Sequence, residues 1–372
     1  MRRSEFEELA VLIISVELLV EPAVDVYMST QRRPKIVQLL VGSQDGGADT
    51  FFVKLCVALH EEGLAQKIVI SPHSQRECIF REHSCDISVL NFGGIGELRA
   101  RPKFKHILAT YKPDVVVAWM NRAARRVPPG PYKRIARLGG YYPVRWYRAF
   151  DYLVANTPDI ARHIAESGFP IDRTTVIGNF GDFESGYNRT KAELGIPEGQ
   201  PLLLCLGRLH REKGFDVAIK ALQHVPSAVL VIAGSGEEGL SLRALARKCG
   251  LGERVLFMDW RYDAASFLAA ADACIVPSRH EPLGNVILEA WRAGTPVIAS
   301  KSEGPSWLIK PDENGLLVPI DDPIALAAAI RKALSNSKLR SVLVRGGRSH
   351  HDMHFSKKRI TRAYIDFFTL IA

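Results

Sequence analysis

The chain has 372 residues, 47% hydrophobic and 24% charged, with a formal net charge of +9. That length exceeds one ordinary hydrophobic core and suits two domains, and the balance of apolar and charged residues excludes a disordered chain. None of its six cysteines forms a Cys-x-x-Cys pair or takes zinc-finger spacing with histidine, which excludes a zinc finger and fits a reducing compartment.

Residues 1–34 read as an N-terminal extension. Leu9 to Val20 is apolar apart from Ser15 and Glu17, but a helix needs about 20 residues to cross a bilayer. Glu5, Glu7 and Glu8 spoil the positive leader of a signal peptide, and no small-residue cleavage site follows. Met28 lies just before the first strand, so residues 1–27 read either as an extension outside the fold or as an interfacial helix.

From Lys35 short apolar runs alternate with amphipathic stretches. Ile36 to Val41 predicts a buried strand. The turn Gly42 to Gly47 follows it, then a helix with Phe51, Phe52, Leu55 and Leu59 at helical spacing, ended by Gly63. Further strands are predicted over Ile68–Ile70, Ile87–Leu90, Val115–Ala118, Leu153–Ala155 and the short run from Val176. Between Arg99 and Arg148 stand thirteen Lys and Arg against one acid, Asp114. So lopsided a block points to an anionic partner: a lipid surface, a phosphorylated glycan or a nucleic acid.

The second half alternates strands at Leu202–Leu206, Ala228–Ala233, Val255–Met258, Ala273–Val276 and Pro296–Ala299 with helical segments. Continuous Val/Ile/Leu runs separated by helices predict parallel sheets covered on both faces, in two Rossmann-like domains. Ligands of such sheets sit beyond the carboxyl ends of the strands. The domains are read as 35–190, 191–345 and a C-terminal helical segment, 346–372, that returns to the first domain.

Four clusters at strand ends carry candidate chemistry. Gly207-Arg208 and Lys213-Gly214 bracket a cationic loop before a helix, a good setting for a diphosphate. In the second cluster Glu281 follows a strand, Pro282 suits the first turn of a helix starting near Leu283, and Gly284, Asn285 and Glu289 follow. A fully helical eight-residue step rises about 12 Å, too far for a glycosidase carboxyl pair, which brackets one bond at about 5–9.5 Å. An elongated ligand fits better, its diphosphate on the amides of Leu283 and Gly284. Asp45-Gly46-Gly47-Ala48-Asp49 lets backbone approach a ligand, with Asp49 either near that ligand or capping the helix. Gly234-Ser235-Gly236 makes a turn or lines the site. The histidines 350, 351 and 354 read as solvated surface rather than a metal site.

The stretch from Glu281 to Glu289 resembles the Glu-x7-Glu motif of retaining glycosyltransferases of the GT-B fold, family 4, also called group 1. The resemblance extends over Gly207-Arg208 with Lys213-Gly214, Ala233 to Gly236, Gly294 to Ala299 and Asn314 to Pro319. It spans about Lys35 to Ala372 and is strongest from 201 to 320. It implies an α/β GT-B enzyme whose two Rossmann-like domains face a deep cleft, the first binding the acceptor and the second the nucleotide-sugar. It further implies Arg208 and Lys213 on the donor diphosphate, Glu281 on the transferred sugar and Glu289 on the ribose. Gly46, Gly47, Gly207, Gly234, Leu283, Gly284 and Asn285 would line the donor. Retention of anomeric configuration is implied too, with the departing phosphate taking the acceptor proton.

Many relatives carry a histidine after the strand matching Val115–Ala118. Here the residues are Trp119-Met120-Asn121-Arg122, so Asn121 and Arg122, with Asp49, are the acceptor-side candidates. Arg137 to Tyr142 and Asn156 to Asp159 resemble transferases that build bacterial lipopolysaccharide core. The expected partners are thus a UDP- or GDP-sugar and an anionic, lipid-linked glycan, met in the cytoplasm with peripheral contact to the inner face of the membrane. No Asp-x-Asp motif is present, so no metal or other cofactor is expected, and Arg and Lys take that electrostatic role. A sugar-nucleotide epimerase of the same fold is the alternative enzyme. A nucleic-acid-binding protein using the basic block is the remote alternative, since it leaves the second-domain motifs idle.

Overall fold

The protein is described here by a computed structural model, covering residues 32–42, 46–183, 189–261 and 263–372. The expected N-terminal extension lies, up to residue 31, outside the described residues, as do Asp45 and the Gly-rich connection at 184–188. The described chain divides into two compact units, one comprising residues up to Asn179 together with Lys358–Ala372, the other Phe180–Lys357.

The first unit runs β1 (Ile36–Leu40), α1 (Gly47–Glu61), β2 (Gln66–Ile70), α2 (Ser74–Glu82), β3 (Ile87–Val89), α3 (Gly96–Tyr111), β4 (Val115–Trp119), α4 (Met120–Ala124), β5 (Lys133–Leu138), β6 (Tyr152–Ala155), α5 (Pro158–Glu166) and β7 (Thr174–Val176). Its seven strands are parallel in the order β3-β2-β1-β4-β5-β6-β7. Strands β1 and β4 are buried throughout, as continuous apolar runs covered on both faces require. The one polar residue of β1, Gln38, is buried and accepts a hydrogen bond from the Trp119 indole at 2.9 Å. Helix α5 starts where the sequence marks it: Thr157 accepts from the Ile160 N–H, and Pro158 occupies the first turn.

Strand β5 is absent from the apolar pattern because charged residues occupy three of its six positions, Lys133, Arg134 and Arg137. Arg137 is nonetheless fully buried. Its guanidinium lies 5.2 Å from the Phe51 ring centroid and 5.0 Å from that of Trp119, and it donates to the Asn179 side chain. Aromatic faces and a carbonyl oxygen thus replace water around the charge.

The second unit runs β8 (Leu202–Leu206), α6 (Phe215–Leu222), β9 (Val229–Ala233), α7 (Gly239–Lys248), β10 (Val255–Met258), α8 (Ala264–Ala270), β11 (Ala273–Val276), α9 (Asn285–Ala293), β12 (Val297–Ser300), α10 (Glu303–Leu308), β13 (Leu316–Val318), α11 (Pro323–Ser335) and α12 (Ser337–His354). Its six parallel strands follow the order β10-β9-β8-β11-β12-β13, with separate apolar clusters on the two faces. Helix α12 runs through the boundary expected at 345. The return to the first unit begins instead within α13 (Lys357–Ile371), which buries Tyr364 and Phe368 there.

The histidines near the end of α12 are buried or partly buried rather than solvated surface. His351 is fully buried, 3.0 Å from the Asp352 carboxylate and 3.8 Å from that of Asp182. His350 packs on Trp291 and Phe355. No group of His, Cys, Asp and Glu able to hold a metal ion occurs among the described residues.

Candidate active site

Each sheet reverses its strand order once: between β1 and β4 in the first unit, between β8 and β11 in the second. At such a reversal the chain leaves two neighbouring strands in opposite directions, and a crevice opens at their carboxyl ends. The loops after β8 and β11 carry the first and second candidate clusters, so topology alone makes them neighbours.

In the second unit Lys213 Nζ lies 2.5 Å from Glu281 Oε2. Ser278, almost wholly buried, also donates its hydroxyl to that oxygen at 3.3 Å. Arg208 stands exposed one turn earlier in the first loop. No carboxylate among the described residues lies within ion-pair distance of it, so its charge is available to an incoming anion. Gly234 and Gly236 press the loop after β9 against Gly207–Leu209. A Cβ on Gly234 would fall 1.9 Å from the Gly207 carbonyl oxygen, and the N–H of Leu209 donates to Ser235 at 2.9 Å. Gly234 therefore shapes the cationic loop by close approach.

Helix α9 does not begin at Leu283. Gly284 adopts φ 93°, a left-handed conformation that breaks the helix before Asn285 and that a side chain tolerates poorly. Pro282 and Leu283 precede the break, and the amides opening the helix are those of Asn285 and Val286. Glu289 is half-buried on the second turn. Burial, with the Glu289 charge second, raises the Cys274 thiol on β11.

Three residues that the sequence reading passed over hold this arrangement. Arg279 makes paired 2.9 Å hydrogen bonds to both oxygens of Asp216, and its Nε lies 2.7 Å from Asp321. Its N–H donates to the Glu212 carbonyl at 2.7 Å. Burial raises the Asp216 carboxyl, but hydrogen bonds from Arg279 and Lys220 outweigh that and leave it below the ordinary carboxylate range. His280 and Glu303 lie 2.8 Å apart. Burial also raises Glu303, but hydrogen bonds from its own backbone N–H, from the His280 side chain and from the Glu281 N–H outweigh that and leave it below the ordinary range. None was legible as a site residue, because each acts through a partner distant in sequence.

In the first unit Gly46 precedes α1 in an extended conformation, and its carbonyl accepts from Thr50 at 2.9 Å. Asp49 does not cap that helix. It lies inside the first turn, its Oδ1 3.4 Å from the guanidinium of buried Arg76, which also donates to the Gly42 carbonyl at 3.0 Å. Met120 follows β4 with φ 62°, unusual for a residue with a side chain. It turns the chain sharply into Asn121 and exposed Arg122, whose guanidinium rests against Gly42. The reversal between β1 and β4 thus gathers Gly46, Gly47, Asp49, Asn121 and Arg122 at one end of the first sheet.

A family model described as glycosyl transferases group 1 matches residues 187–350. The lipopolysaccharide core biosynthesis glycosyltransferase LpsE of Rhizobium meliloti is 38% identical over 337 residues, 87% of this chain and 95% of that one. LpsD of the same organism is 36% identical, covering 90% of this chain and 98% of its own. Among solved structures, Anabaena HepE in complex with UDP and glucose superposes with a TM-score of 0.79 at 21% identity, covering 90% of this chain and 99% of that one. WaaG, a glycosyltransferase involved in lipopolysaccharide biosynthesis, superposes with a TM-score of 0.68 at 19% identity, covering 88% and 98%. At those identities the two structures speak for the fold.

Proposed function

The chain belongs to the group 1 glycosyltransferases, with their GT-B fold, and from that membership we propose that it adds a hexose from a nucleoside-diphosphate sugar to a growing lipopolysaccharide core or similar cell-envelope glycan. The observation that carries the reading is the meeting of Lys213 and Glu281 at the strand reversal of the second unit, inside the span matched by the family model. Arg208 and Lys213 would hold the diphosphate and neutralise the charge that grows on it as the sugar departs. The opening of α9 adds the dipole of a helix N-terminus. Glu281 would accept hydrogen bonds from sugar hydroxyls and Glu289 from the ribose, while Gly46 and Gly47 offer backbone on the donor side of the first unit. Asp49, Asn121 and Arg122 would meet the acceptor. No side chain stands out as a covalent nucleophile. Retention then follows if the acceptor attacks the face that the diphosphate leaves and the leaving phosphate takes the hydroxyl proton.

The lipid-linked nature of the acceptor is supported by one surface of the first unit. Ile95 and Leu98, at the start of α3, are 86% and 77% exposed. Glu97 between them takes a 2.9 Å bond from Arg126, and the adjoining Arg125, with Arg145, stacks on Trp146 at 4.6 and 5.0 Å. Apolar side chains beside a row of arginines suit the cytoplasmic face of an anionic membrane. No helix among the described residues is long and apolar enough to cross a membrane.

The test is transfer itself. Incubating the protein with UDP-, GDP- and ADP-hexoses and a truncated lipopolysaccharide should lengthen the glycan by one hexose with the donor's anomeric configuration kept. Conversion of the donor to its epimer without acceptor would replace this reading with the epimerase.

A further inference from the structure

Glu281 sits in an irregular segment between β11 and α9, with no regular secondary structure to hold it. Its backbone is fixed on both sides by the first two residues of α10. Its N–H donates to Glu303 Oε2 at 3.1 Å, and its carbonyl accepts from the Gly304 N–H at 2.8 Å. The other Glu303 oxygen, Oε1, lies 2.8 Å from His280 Nδ1. One carboxylate therefore spans two consecutive residues of the loop, and it arises 22 positions further along the chain.

We infer that Glu303 is a positioning residue for the transfer reaction, orienting the peptide of Glu281 so that its side chain presents itself to the donor sugar. The inference rests on the proposed contact of Glu281 with that sugar. Holding the 280–281 peptide fixes the direction of the Glu281 Cα–Cβ bond. The His280 contact keeps the Glu303 carboxylate from rotating away. Lys213 and Ser278 then complete the orientation at the far end of the Glu281 side chain. A site is only as accurate as the groups that support its contacting side chains, and a misplacement of about 1 Å can cost roughly 100-fold in rate. The diphosphate contacts proposed for Arg208 and Lys213 come from a different loop. Losing Glu303 should therefore disturb recognition of the sugar and spare recognition of the nucleoside diphosphate.

The experiment compares wild type, Glu303→Ala, Glu303→Gln and Glu281→Ala. It uses calorimetric affinity for the tightest-binding of UDP, GDP and ADP, affinity for its hexose conjugates, and turnover. For Glu303→Ala the diphosphate affinity should stay within about twofold of wild type. The ratio of conjugate to diphosphate affinity, and turnover, should each fall roughly 10- to 100-fold. Glu303→Gln, which keeps an oxygen for the Glu281 amide, should recover most of both. Unchanged turnover and affinity ratio in Glu303→Ala, with Glu281→Ala impaired, would overturn the positioning role alone. An equal loss of diphosphate and conjugate binding in both Glu303 variants would also overturn it, by marking a general loosening of the unit. Normal turnover in Glu281→Ala would remove the sugar contact and this inference together.

Discussion

The ammonium of Lys213 and the carboxylate of Glu281, 68 residues apart in sequence, meet at 2.5 Å across the strand-order reversal between β8 and β11. The pair joins the cationic loop to the loop that opens α9, and it holds both side chains ready before any donor arrives. Preorganised charge of this kind carries much of the barrier lowering in transfer reactions, because it need not reorganise when charge develops. Lys213→Ala and Glu281→Ala should each lower turnover roughly 100- to 1,000-fold, with far-ultraviolet circular dichroism unchanged. Near-normal turnover in both would remove the pair from the mechanism.

Arg279 should matter most through Asp216. The Asp216 carboxyl is depressed in the folded protein, so its contribution is present above the unfolded value and is lost as pH falls through the folded one. Arg279→Ala removes the paired hydrogen bonds that sustain the depression. Urea melts should therefore show a clear stability gap between wild type and Arg279→Ala at pH 6 that narrows at pH 3. A gap independent of pH would mean that Arg279 acts by packing alone.

His350 gives a second pH dependence. Burial, reinforced by His354 and Lys310, lowers it from 6.5 to about 4. The unfolded chain then binds more protons than the folded one between those values, so stability is full above pH 6.5 and declines as pH falls toward 4. His350→Phe, which keeps an aromatic ring against Trp291 and Phe355, should flatten the decline measured by denaturant melts from pH 7 to 4.5. An unchanged slope would assign it to other groups.

Asn179, the last residue of the first unit, gives Arg137 an oxygen acceptor in the interior. Asn179→Ala should cost about 1–3 kcal/mol, the penalty of a buried polar group deprived of a partner. Little change in the urea midpoint would mean that Phe51 and Trp119 suffice to hold the charge.

Vesicle flotation tests the surface around α3. Wild type should float with anionic vesicles at low salt, and binding should weaken as salt screens the arginines. Ile95→Asp with Leu98→Asp should abolish flotation while leaving turnover on a short soluble acceptor intact. Equal flotation of that variant would remove the membrane role from this surface.

The two sheets were legible wherever strands are mostly apolar runs, as in β1, β4, β8 and β9, because burial on both faces admits a polar residue only with a partner, as Gln38 of β1 has in Trp119. Strand β5 was not, since Arg137 is held in the interior by Phe51, Trp119 and Asn179, which come from three other parts of the chain. The side chains at the second-unit reversal were legible through motif and charge. The start of α9 was misread because Pro282 suits a first turn, while Gly284 decides the break through a backbone angle that the residue type permits without requiring. Glu303 and Arg279 left no local signal, because each does its work on a loop formed elsewhere in the chain. The unit boundary falls at Asn179, within the stretch from there to 190 that was expected to include the linker.

The most direct test of the transferase site is thermal melting of wild type and Lys213→Ala with UDP, GDP, ADP and their hexose conjugates. A ligand that binds only the folded state raises the melting temperature with its occupancy. One nucleotide class should raise the wild-type midpoint by several degrees, roughly what 1–3 kcal/mol of binding gives a protein of this size, and Lys213→Ala should lose most of that rise. A shift of equal size in both proteins, or none with any nucleotide, would contradict the placement of the donor on Lys213 and Glu281.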